Sequence, residues 1–471
     1  MNELNKTMCM NLCSVGFCLL LVACSSSDTA QDIVYDTQEH AFPNFSRHQF
    51  EVFSDDGAQT NAWGDYDSDG DLDLYVGFTS DPTTHNKLYE NQNNGEYFSD
   101  VSDSQGMNRS GTTRQPSFID YDGDGDLDLF VAFRDQPNRL YRNDLQAFVD
   151  VTDISGIGDS RRTVGAAWFD VDDDGDLDLF TANQNGDEDG FYLNLGNGSF
   201  EDVGADLGIN KPARTATQGS VGVAVGDYDN DGDLDLYVAS YGPDLIWENQ
   251  NDTLGFIKIS SGEGFDGDHH SVAATFADYD NDGWLDLYVG TFISTIAEEP
   301  DYLFKNVHGD FHIVTPSLLL EKGTSHGIAW ADYDGDGDVD LAVANNHAEG
   351  THTLYRNELG PEKARKSLQL AILDNQGRWT RAGATVTLSA STWNHSMEGQ
   401  PSYVSSRVVD TGGGYSSQGA TPVHFGIPSG IELVDLTIRW YENGMNIQTV
   451  SNLDHSLYAD RIFEIRLHPT P

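Results

Sequence analysis

An acidic nine-residue pattern, D-x-D-x-D-G-x-x-D, occurs six times in this chain of 471 residues. Successive copies begin 55, 50, 57, 51 and 54 residues apart, and their first aspartates are Asp65, Asp120, Asp170, Asp227, Asp278 and Asp332. A nearly constant period of this size is typical of repeat architectures, in which each unit buries its apolar face against its neighbours. The pattern therefore predicts a fold built from six copies of one unit.

The residues around each acidic pattern indicate short β-strands. A bulky apolar residue stands two positions before each copy, as Trp63 and Phe118 do, and runs such as LYVGF and LFVAF follow it. An apolar pair close to an asparagine comes next, as in Leu88–Asn91. Four short strands per repeat are typical of a propeller blade, whereas the rungs of a β-solenoid are shorter than this period. We predict an all-β protein with a propeller over residues 46–360. Six blades carry the loops, and seven are the alternative because Ile33–His48 could help to build another.

The spacing of the aspartates within each copy matches the ligands of a calcium loop. Oxygen atoms of residues 1, 3 and 5, the backbone carbonyl of residue 7 and the carboxylate of residue 9 can enclose a hard cation, and glycine at position 6 permits the sharp turn. Position 7 is Asp in five copies but Trp284 in the fifth, as expected where only the carbonyl binds. A solvated acidic turn would not keep four aspartates in register six times. The predicted metal-binding residues are Asp65, Asp67, Asp69, Asp71 and Asp73; Asp120, Asp122, Asp124, Asp126 and Asp128; Asp170, Asp172, Asp174, Asp176 and Asp178; Asp227, Asp229, Asp231, Asp233 and Asp235; Asp278, Asp280, Asp282, Trp284 and Asp286; and Asp332, Asp334, Asp336, Asp338 and Asp340.

The overall charge supports divalent ions and argues against nucleic acid. The formal net charge is −52, and so acidic a chain is a poor partner for nucleic acid or for an anionic membrane surface. About six Ca²⁺ ions would neutralise the densest clusters, and Mg²⁺ fits less well because it keeps several waters. Repulsion within an empty loop opposes its closure, so we expect metal binding to be linked to folding.

The first residues have the composition of an export signal. Met8–Ala23 is apolar but too short and too near the terminus for a membrane span, and all four cysteines lie at or before Cys24. The sequence LVAC, Leu21–Cys24, resembles a bacterial lipobox. This predicts a signal peptide over residues 1–23, lipidation of Cys24 and a tether over residues 24–45, with an outer-membrane location on the cell surface or the periplasmic face. The alternative is an ordinary signal peptide with a chance cysteine. After processing no second thiol remains for an intrachain disulfide.

Residues 361–471 have the pattern of a separate β domain. Runs such as ATVTL and VDLTIRW alternate apolar and polar residues, which predicts a small β-sandwich. The polar segment Pro361–Lys366 is expected to link it to the propeller. Tyr415 and His424 stand among glycines and strand residues, so we expect them to pack or to form turns.

The motifs of these two regions resemble known families. The acidic loops, in the context G-x-x-x-W-x-D-Y-D-x-D-G-D-x-D-L, resemble the FG-GAP/VCBS repeats of integrin-like propellers. Four later motifs resemble the ASPIC/UnbV domain: AGATV (Ala382–Val386), GGGYSSQ (Gly412–Gln418), VHFGI (Val423–Ile427) and VDLTIRW (Val434–Trp440). Together they are similar to bacterial relatives of the cartilage acidic protein family. The resemblance implies an extracellular calcium-binding protein and transfers no catalytic residue.

Basic residues recur at one position of the repeat. The strand before each loop is innermost in a propeller blade, so the residues that begin it lie near the axis on the face opposite the loops. These residues are Arg114, Arg161, Arg162, His269, His270 and His326, and the loops after the second strand add Arg134, Arg139, His347 and His352 together with the acidic Asp187, Glu188 and Asp189. We interpret the first set as a cationic axial pocket for an anionic ligand, because propeller funnels are common ligand sites. The alternative is that these side chains pair with local acids.

Three classes of function fit this sequence. The first is a calcium-stabilised surface module that binds a glycan or a protein of the cell envelope. The second is a polysaccharide lyase or hydrolase, for which the His269–His270 and Arg161–Arg162 pairs could supply a base and a cation. The third is a scaffold of an envelope complex. We favour the first and expect no enzyme, since no nucleophile, general acid or catalytic metal motif stands out. Membrane contact is expected through the lipid anchor only.

Overall fold

A computed structural model describes most of the chain from residue 51 onward. The residues described are 51–78, 84–92, 96–144, 147–210, 214–250, 255–259, 269–292, 300–319, 325–345, 352–393, 403–409, 415, 417–418, 422–459 and 461–469. The chain from Gln49 onward forms one compact unit. The predicted signal peptide, Cys24 and the tether lie outside the described residues. Of the helices that are described, none is long and apolar enough to cross a membrane.

Six antiparallel sheets follow one another along the chain, one for each acidic loop. The first strands of consecutive sheets contact one another and form the inner wall of the propeller. A short helix, α1 (Thr152–Ser155), follows the second sheet, and a 3₁₀ turn, Ser317–Leu319, follows the fifth. The blades contain β1 (Ala58–Gly64), β2 (Asp73–Phe78), β3 (Lys87–Gln92) and β4 (Tyr97–Asp100); β5 (Thr113–Ile119), β6 (Asp128–Phe133), β7 (Arg139–Asn143) and β8 (Phe148–Asp150); β9 (Thr163–Phe169), β10 (Asp178–Asn183), β11 (Gly190–Asn194) and β12 (Phe200–Asp202); β13 (Gly219–Gly226), β14 (Asp235–Tyr241), β15 (Leu245–Asn249) and β16 (Phe256–Ile259); β17 (Ser271–Ala277), β18 (Asp286–Thr291), β19 (Tyr302–Val307) and β20 (Asp310–Ile313); and β21 (Ser325–Ala331), β22 (Asp340–Asn345) and β23 (His352–Tyr355). The prediction of an all-β propeller is confirmed.

Each second strand begins at the ninth aspartate of its loop, and this residue ties the loop to the blade. In blade one the Asp73 carboxylate accepts hydrogen bonds from the backbone N–H groups of Tyr66, at 3.1 Å, and Asn91, at 2.8 Å. The same two bonds recur in the other five blades. A carboxylate buried with two N–H donors fixes the loop relative to the third strand.

The asparagine near the end of the third strand joins neighbouring blades at the loop end. Asn143 Nδ2 donates to the carbonyl of Tyr66 in the preceding blade, at 2.7 Å, and to that of Leu127 in its own blade, at 3.1 Å. Bonds to the second loop residue of the preceding blade recur at Asn194, Asn249, Asn306 and Asn357. The acidic loops are thus also the hydrogen-bonded joints between blades.

A second joint lies at the opposite end of the inner strands. A buried Ser or Thr at the start of the inner strand bonds a side chain that precedes the third strand of the previous blade. Ser271 Oγ donates to Asp244 Oδ2 at 2.7 Å, and Ser325 Oγ donates to Asp301 Oδ2 at 2.5 Å. The other described pairs are Thr113 with Asn86, Thr163 with Asn138, and Ser220 with Asp189. Both ends of each described blade junction are therefore fixed by polar contacts.

The C-terminal domain is a β-sandwich, as predicted. It begins after α2 (Pro361–Ala364), and its buried residues, such as Leu370 and Leu436, form one hydrophobic core between two sheets. A 3₁₀ turn, His455–Tyr458, precedes its last strand. The sheets contain β24 (Ser367–Leu373), β28 (Val423–Gly426) and β31 (Ile462–Arg466), and β25 (Thr385–Trp393), β26 (Val404–Val408), β29 (Ile431–Tyr441) and β30 (Met445–Asp454).

This domain covers the loop face of the propeller and touches every acidic loop. Backbone and side-chain groups of the domain contact the loops where the turns bring carbonyls and carboxylates to the surface. From loop one to loop six the contacts are Arg378 Nη1 to the Ser68 carbonyl, Asn443 N to the Gly123 carbonyl, the Met445 side chain beside Gly175, Ser406 N to Asp227 Oδ2, Tyr403 Oη to the Gly283 carbonyl, and Gln369 Nε2 to Asp332 Oδ2. The shape of the loops therefore determines how the second domain docks.

A short segment of the same domain lies along the propeller axis. The strand β27 (Ser417–Gln418) pairs in parallel with β1 and adds a fifth strand to the inner edge of blade one. The Gln418 side chain accepts from the backbone N of Phe118 at 2.7 Å and donates to its carbonyl at 2.8 Å. The inner edges of blades one and two thus find their backbone partners in the C-terminal domain.

Blades one and six each expose a face that is buried between blades elsewhere. Trp63 is 37% exposed, whereas its equivalents Phe118 and Trp168 are 1% and 0% exposed because each packs on the preceding blade. Tyr333 of blade six is 52% exposed, whereas Tyr66 of blade one is 1% exposed. The six described blades leave these two faces uncovered, which is where a seventh blade would pack.

Candidate calcium loops and axial site

The first aspartate of each loop closes the turn and directs one oxygen into the loop. Its Oδ2 accepts a hydrogen bond from the backbone N–H of the glycine at position 6, as between Asp65 and Gly70 at 3.1 Å. Gly70 has a φ of 101°, a conformation that strains any residue with a Cβ. In loops one to three the other oxygen, Oδ1 of Asp65, Asp120 and Asp170, is buried with no hydrogen-bond partner. A buried anionic oxygen without a donor is costly unless a cation faces it.

Carboxylate oxygens converge in these loops. In loop one, oxygens from Asp65, Asp67 and Asp73 lie within 4.8 Å of one another, and in loop four oxygens from Asp227 and Asp229 do so with a third aspartate. Ca²⁺ takes six to eight oxygen ligands at about 2.3–2.6 Å in a flexible geometry, so two of its ligands are up to about 5 Å apart. The donor set, which is carboxylates and carbonyls only, fits this ion.

In loops three and six the residue at position 7 offers a buried carboxylate oxygen to a metal ion in addition to its backbone carbonyl. The Asp176 and Asp338 side chains are 3% and 0% exposed, and one oxygen of each is buried without a hydrogen-bond partner. Loop five has Trp284 at this position, and its ring packs at 4.9 Å from that of His308. The fifth loop therefore has one carboxylate fewer than its neighbours.

Burial and mutual repulsion raise the pKa values of the loop carboxyls. Burial is the larger cause, and it raises the pKa of Asp65 to about 6 and that of Asp278 to about 7, with neighbouring loop aspartates adding to both shifts. The ninth aspartates are more enclosed, and burial raises the pKa of Asp73 to about 8 and that of Asp286 to about 9. Without a metal these loops favour protonated carboxyls, and a bound cation would favour the ionised form.

The metal-free protein is expected to lose stability as the pH rises from about 4 to about 8. The folded-state pKa values of Asp65, Asp73 and Asp278 lie above the ordinary value of 3.8. In this window the folded state therefore binds more protons than the unfolded state, and the free energy of unfolding falls with rising pH. Calcium needs ionised carboxylates, so the increase in Tm on adding calcium should grow across the same window. Melting curves of metal-stripped and calcium-loaded protein at each pH test this, and a metal-free Tm that rises with pH would contradict it.

The inner strands bring one residue per blade to the propeller axis, on the face opposite the loops. The equivalent residues, four positions before the apolar residue that precedes each loop, are Gln59, Arg114, Val164, Val221, Val272 and His326. The three valines come from three blades and yet share one cluster with Tyr241, Phe292 and Tyr415, which places this position at the axis. The His326 ring lies 5.2 Å from that of Tyr415. Burial and then the charge of Arg114 lower the pKa of His326 to about 4.

A second ring of residues stands just outside the first. These residues follow the ninth aspartate by six positions and are Arg134, Gln184, Tyr241 and Phe292. Burial is the main cause that lowers the pKa of Arg134, and the charges of Arg114 and, more weakly, Arg162 add to it, while Tyr415 and Tyr241 also lie nearby. Neither Arg114 nor Arg134 forms an ion pair with a carboxylate of the described chain. The axial site therefore combines an aromatic and valine wall with two guanidinium groups that have no acidic partner among the described residues.

The other four residues of the first predicted set, Arg161, Arg162, His269 and His270, contact other residues of the protein. Arg161 forms ion pairs with Asp159 and, at 2.5 Å, with Asp202, and Arg162 pairs with Asp187 at 2.7 Å. The His269 ring contacts Tyr302, whose Oη lies 3.3 Å from Nδ1. The His270 ring packs 5.1 Å from that of Tyr241, and His347 lies outside the described residues. Of the six candidates, Arg114 and His326 are those that line the axis beside Tyr415.

Some residues of the axial site were not predicted from the sequence. Tyr241 and Phe292 could have been found, because they are the counterparts of Arg134 when the repeats are aligned on the ninth aspartate. No local pattern places Tyr415 or Gln418 at the axis, since both come from the second domain.

Family models match both regions of the chain. The model of the FG-GAP-like repeat matches residues 65–131, 120–181, 170–238 and 227–289, and the model described as ASPIC and UnbV matches residues 377–460. The chain carries FG-GAP-like repeats followed by an ASPIC and UnbV domain. The predicted resemblance to these families is confirmed.

Curated relatives are similar to part of this FG-GAP-like chain. Cartilage acidic protein 1 of Mus musculus is 25% identical over 279 residues, which cover 57% of this chain and 40% of the mouse protein. The Homo sapiens protein of the same name is 25% identical and covered to 39%, and that of Xenopus tropicalis is 23% identical over 270 residues. The matched part thus spans about 40% of the length of these relatives.

The comparison with solved structures matches a lectin and a yeast protein, both at a low TM-score. The Agrocybe aegerita lectin, described as recognising non-reducing terminal N-acetylglucosamine, has a TM-score of 0.39 and 15% identity, with 64% of this chain and 81% of that chain covered. Saccharomyces cerevisiae Sqt1 has a TM-score of 0.39 and 11% identity, with 61% of this chain and 69% of that chain covered. Similarity at this level has no bearing on the ligand.

Proposed function

We propose that this protein is a calcium-stabilised, lipid-anchored binding and adhesion module of the cell envelope, and that its axial site binds an acidic glycan. The observation that carries the proposal is the pair Arg114 and Arg134, which stands beside Tyr241 and Tyr415 at the axis without an ion-pair partner in the described chain. In a chain of net charge −52, two adjacent arginines without acidic partners are exceptional.

The chemistry of the axial site suits a sugar acid. Guanidinium groups bind carboxylate and sulfate through paired N–H donors. The rings of Tyr241, Phe292 and Tyr415 and the three valines offer an apolar wall for the face of a sugar ring. Binding sites of this kind combine such walls with a few placed polar groups. A carboxylate of a protein ligand would use the same two arginines.

Two observations support the proposal of about six calcium ions. They are the buried, unpartnered carboxylate oxygens of loops one to three and the match to the FG-GAP-like repeat. These ions would be held by the loop aspartates and would supply the positive charge that the loops lack. FG-GAP-like repeats and the cartilage acidic protein relatives suggest an extracellular location, and Cys24 within LVAC suggests a lipid anchor. The proposed role is non-catalytic, because FG-GAP-like repeats are not enzymatic by themselves.

Replacing both axial arginines is expected to abolish acidic-glycan binding and to leave the fold intact. Charge-assisted hydrogen bonds contribute about 1.5–3 kcal/mol each, so Arg114→Gln with Arg134→Gln should weaken binding at least about a hundredfold. The Tm should stay nearly unchanged, since neither arginine pairs with an acid of the described chain. A glycan array with acidic and neutral sugars in calcium, followed by titration of the hits, measures the loss.

A matched control removes two arginines far from the axis. Arg365→Gln with Arg461→Gln makes the same change in charge on exposed residues of the C-terminal part and should leave glycan binding intact. Equal losses in both double variants would indicate a general charge effect and contradict the axial site. Cleavage products from any bound glycan would contradict the non-catalytic role, and a protein as the sole ligand would contradict the glycan.

A further inference from the structure

One position of the blade places a side chain against the calcium loop and differs in charge from blade to blade. It precedes the asparagine of the third strand, and its residues are Glu90, Arg142, Leu193, Glu248, Lys305 and Arg356. The loops themselves are nearly uniform. Any difference in calcium affinity among them is therefore expected to arise in part at this position.

In blade five this side chain places an ammonium group among the predicted calcium ligands. Lys305 Nζ lies 2.6 Å from Asp280 Oδ1, 2.6 Å from Asp282 Oδ2 and 3.8 Å from Asp286 Oδ1. These aspartates hold positions 3, 5 and 9 of the loop. The two shorter distances equal those from Ca²⁺ to its oxygen ligands, about 2.3–2.6 Å. The Lys305 side chain is 17% exposed, so solvent weakens this contact little.

The fifth loop is also the least acidic of the six, and a second lysine nearby is too exposed to add much to this difference. It has Trp284 where the other five loops have an aspartate at position 7. A second ammonium, Lys363 Nζ, lies 3.7 Å from Asp280 Oδ2, although that lysine is 58% exposed. Fewer carboxylates and an internal cation both reduce the attraction of the loop for a metal ion.

Other loops show the opposite or an intermediate arrangement at the same position. In blade four Glu248 Oε2 accepts a hydrogen bond from Tyr228 Oη at 2.9 Å, beside the loop aspartates. In blade two Arg142 forms its ion pair with Asp144, at 2.8 Å and outside the loop, and reaches the loop aspartate Asp122 only through the longer-range attraction of its charge. In blade six Arg356 reaches Asp334 at 2.7 Å but is 54% exposed. Lys305 is thus the most enclosed of the three cations at this position.

We propose that Lys305 closes the fifth loop in place of a tightly bound calcium ion, so that the propeller holds one calcium more weakly than the others. The inference rests on the proposed calcium function of the loops. A divalent ion entering loop five must displace an ammonium group from two carboxylates, whereas an ion entering loop four gains a sixth carboxylate nearby. Like charges a few ångströms apart at partial burial repel strongly, so the affinity of loop five should be at least about tenfold lower.

The fifth loop then has a distinct role in docking the second domain. The Gly283 carbonyl of this loop accepts a hydrogen bond from Tyr403 Oη at 3.0 Å, and the ammonium group holds the turn closed without metal. Loop five would keep its contact with the C-terminal domain at calcium levels that empty its neighbours.

Calcium binding to the whole chain and to two charge variants tests the inference. Equilibrium dialysis with radioactive calcium should show one step at least tenfold weaker than the rest in the wild type. Lys305→Glu, which gives loop five the glutamate that loop four has at this position, should shift that step to tighter binding, although Trp284 remains at position 7. Glu248→Lys, the reverse change in loop four, should create a second weak step. Lys363→Met removes the exposed lysine and should leave the binding curve almost unchanged.

The Tm separates this role from that of an ordinary salt bridge. Lys305→Met should melt below the wild type in EGTA, because loop five loses its internal cation, and should match or exceed it in saturating calcium. A binding curve for Lys305→Glu that superimposes on the wild type would overturn the inference, as would an equal loss of Tm for Lys305→Met in both conditions. A wild type that binds no calcium would instead refute the proposed function.

Discussion

Excess EGTA is expected to lower the Tm of this protein by roughly 10 °C. A site filled at a hundred times its dissociation constant adds about 2.7 kcal/mol to the folded state, so several loops together contribute on the order of 10 kcal/mol. The unfolding entropy scales with chain length, so for a compact unit as large as Gln49–Pro471 1 kcal/mol corresponds to about 1 °C in Tm. The loops carry the asparagine bonds between blades and the contacts to the C-terminal domain, so their closure affects the whole unit.

The control for this experiment is EGTA already saturated with calcium, which should leave the melting curve unchanged. Magnesium in place of calcium should restore only part of the loss, because Mg²⁺ retains its waters. Asp120→Asn, a change in one loop, should lower the Tm by a fraction of the effect of EGTA. An identical melting curve with and without free EGTA would refute calcium as the element that stabilises this thiol-poor fold.

Replacement of Gln418 by methionine is expected to cost about 2–4 kcal/mol in the free energy of unfolding. The Gln418 amide bonds both the N–H and the carbonyl of Phe118 and is 4% exposed. Methionine has a similar length but can satisfy neither group, and each buried unsatisfied polar group costs about 1–3 kcal/mol. Urea unfolding in saturating calcium, followed by tryptophan fluorescence, measures the difference.

The chain offers a close control for this substitution. The half-buried Gln448 side chain makes a similar pair of solvent-exposed bonds: Nε2 donates to the Arg466 carbonyl at 3.0 Å, and Oε1 accepts from the His468 N–H at 3.2 Å. Water can replace both bonds there, so Gln448→Met should cost less than about 0.5 kcal/mol. Equal costs at the two positions would show that the axial bonds of Gln418 do not stabilise the fold.

The blades could be predicted because their information is local and repeated. The ninth aspartate marks the start of each second strand, and the glycine at position 6 marks the turn, so the sequence alone locates Asp73 and Gly70 correctly. Repetition also assigns Arg114 and His326 to the axis, since they align with three valines that meet there. Because the pattern occurs six times, six separate stretches of sequence support the same prediction of a blade.

The contacts between the two domains could not be predicted, because they depend on surfaces far apart in sequence. Gln418 bonds Phe118 across 300 residues, and a glycine-rich stretch around Tyr415 has no periodicity from which its place could be inferred. Lys305 was missed for a different reason. Its role can be recognised only once the third strand is known to lie against the loop. The residues at this position, from Glu90 in blade one to Arg356 in blade six, then explain how the charge beside the loop differs between blades.

The axial position of Tyr415, Ser417 and Gln418 has a consequence for how the chain reaches its final state. Blades one and two are made early, but the inner edge of β1 and the Phe118 backbone group obtain their partners from Ser417 and Gln418, which emerge about 300 residues later. A ring of blades formed during synthesis therefore keeps an unpaired inner strand edge at blade one until the second domain folds. Shortened chains that end before this segment would present that unpaired edge together with the valines and aromatic rings that Tyr415 contacts, a feature by which cellular quality control could distinguish them from the complete protein.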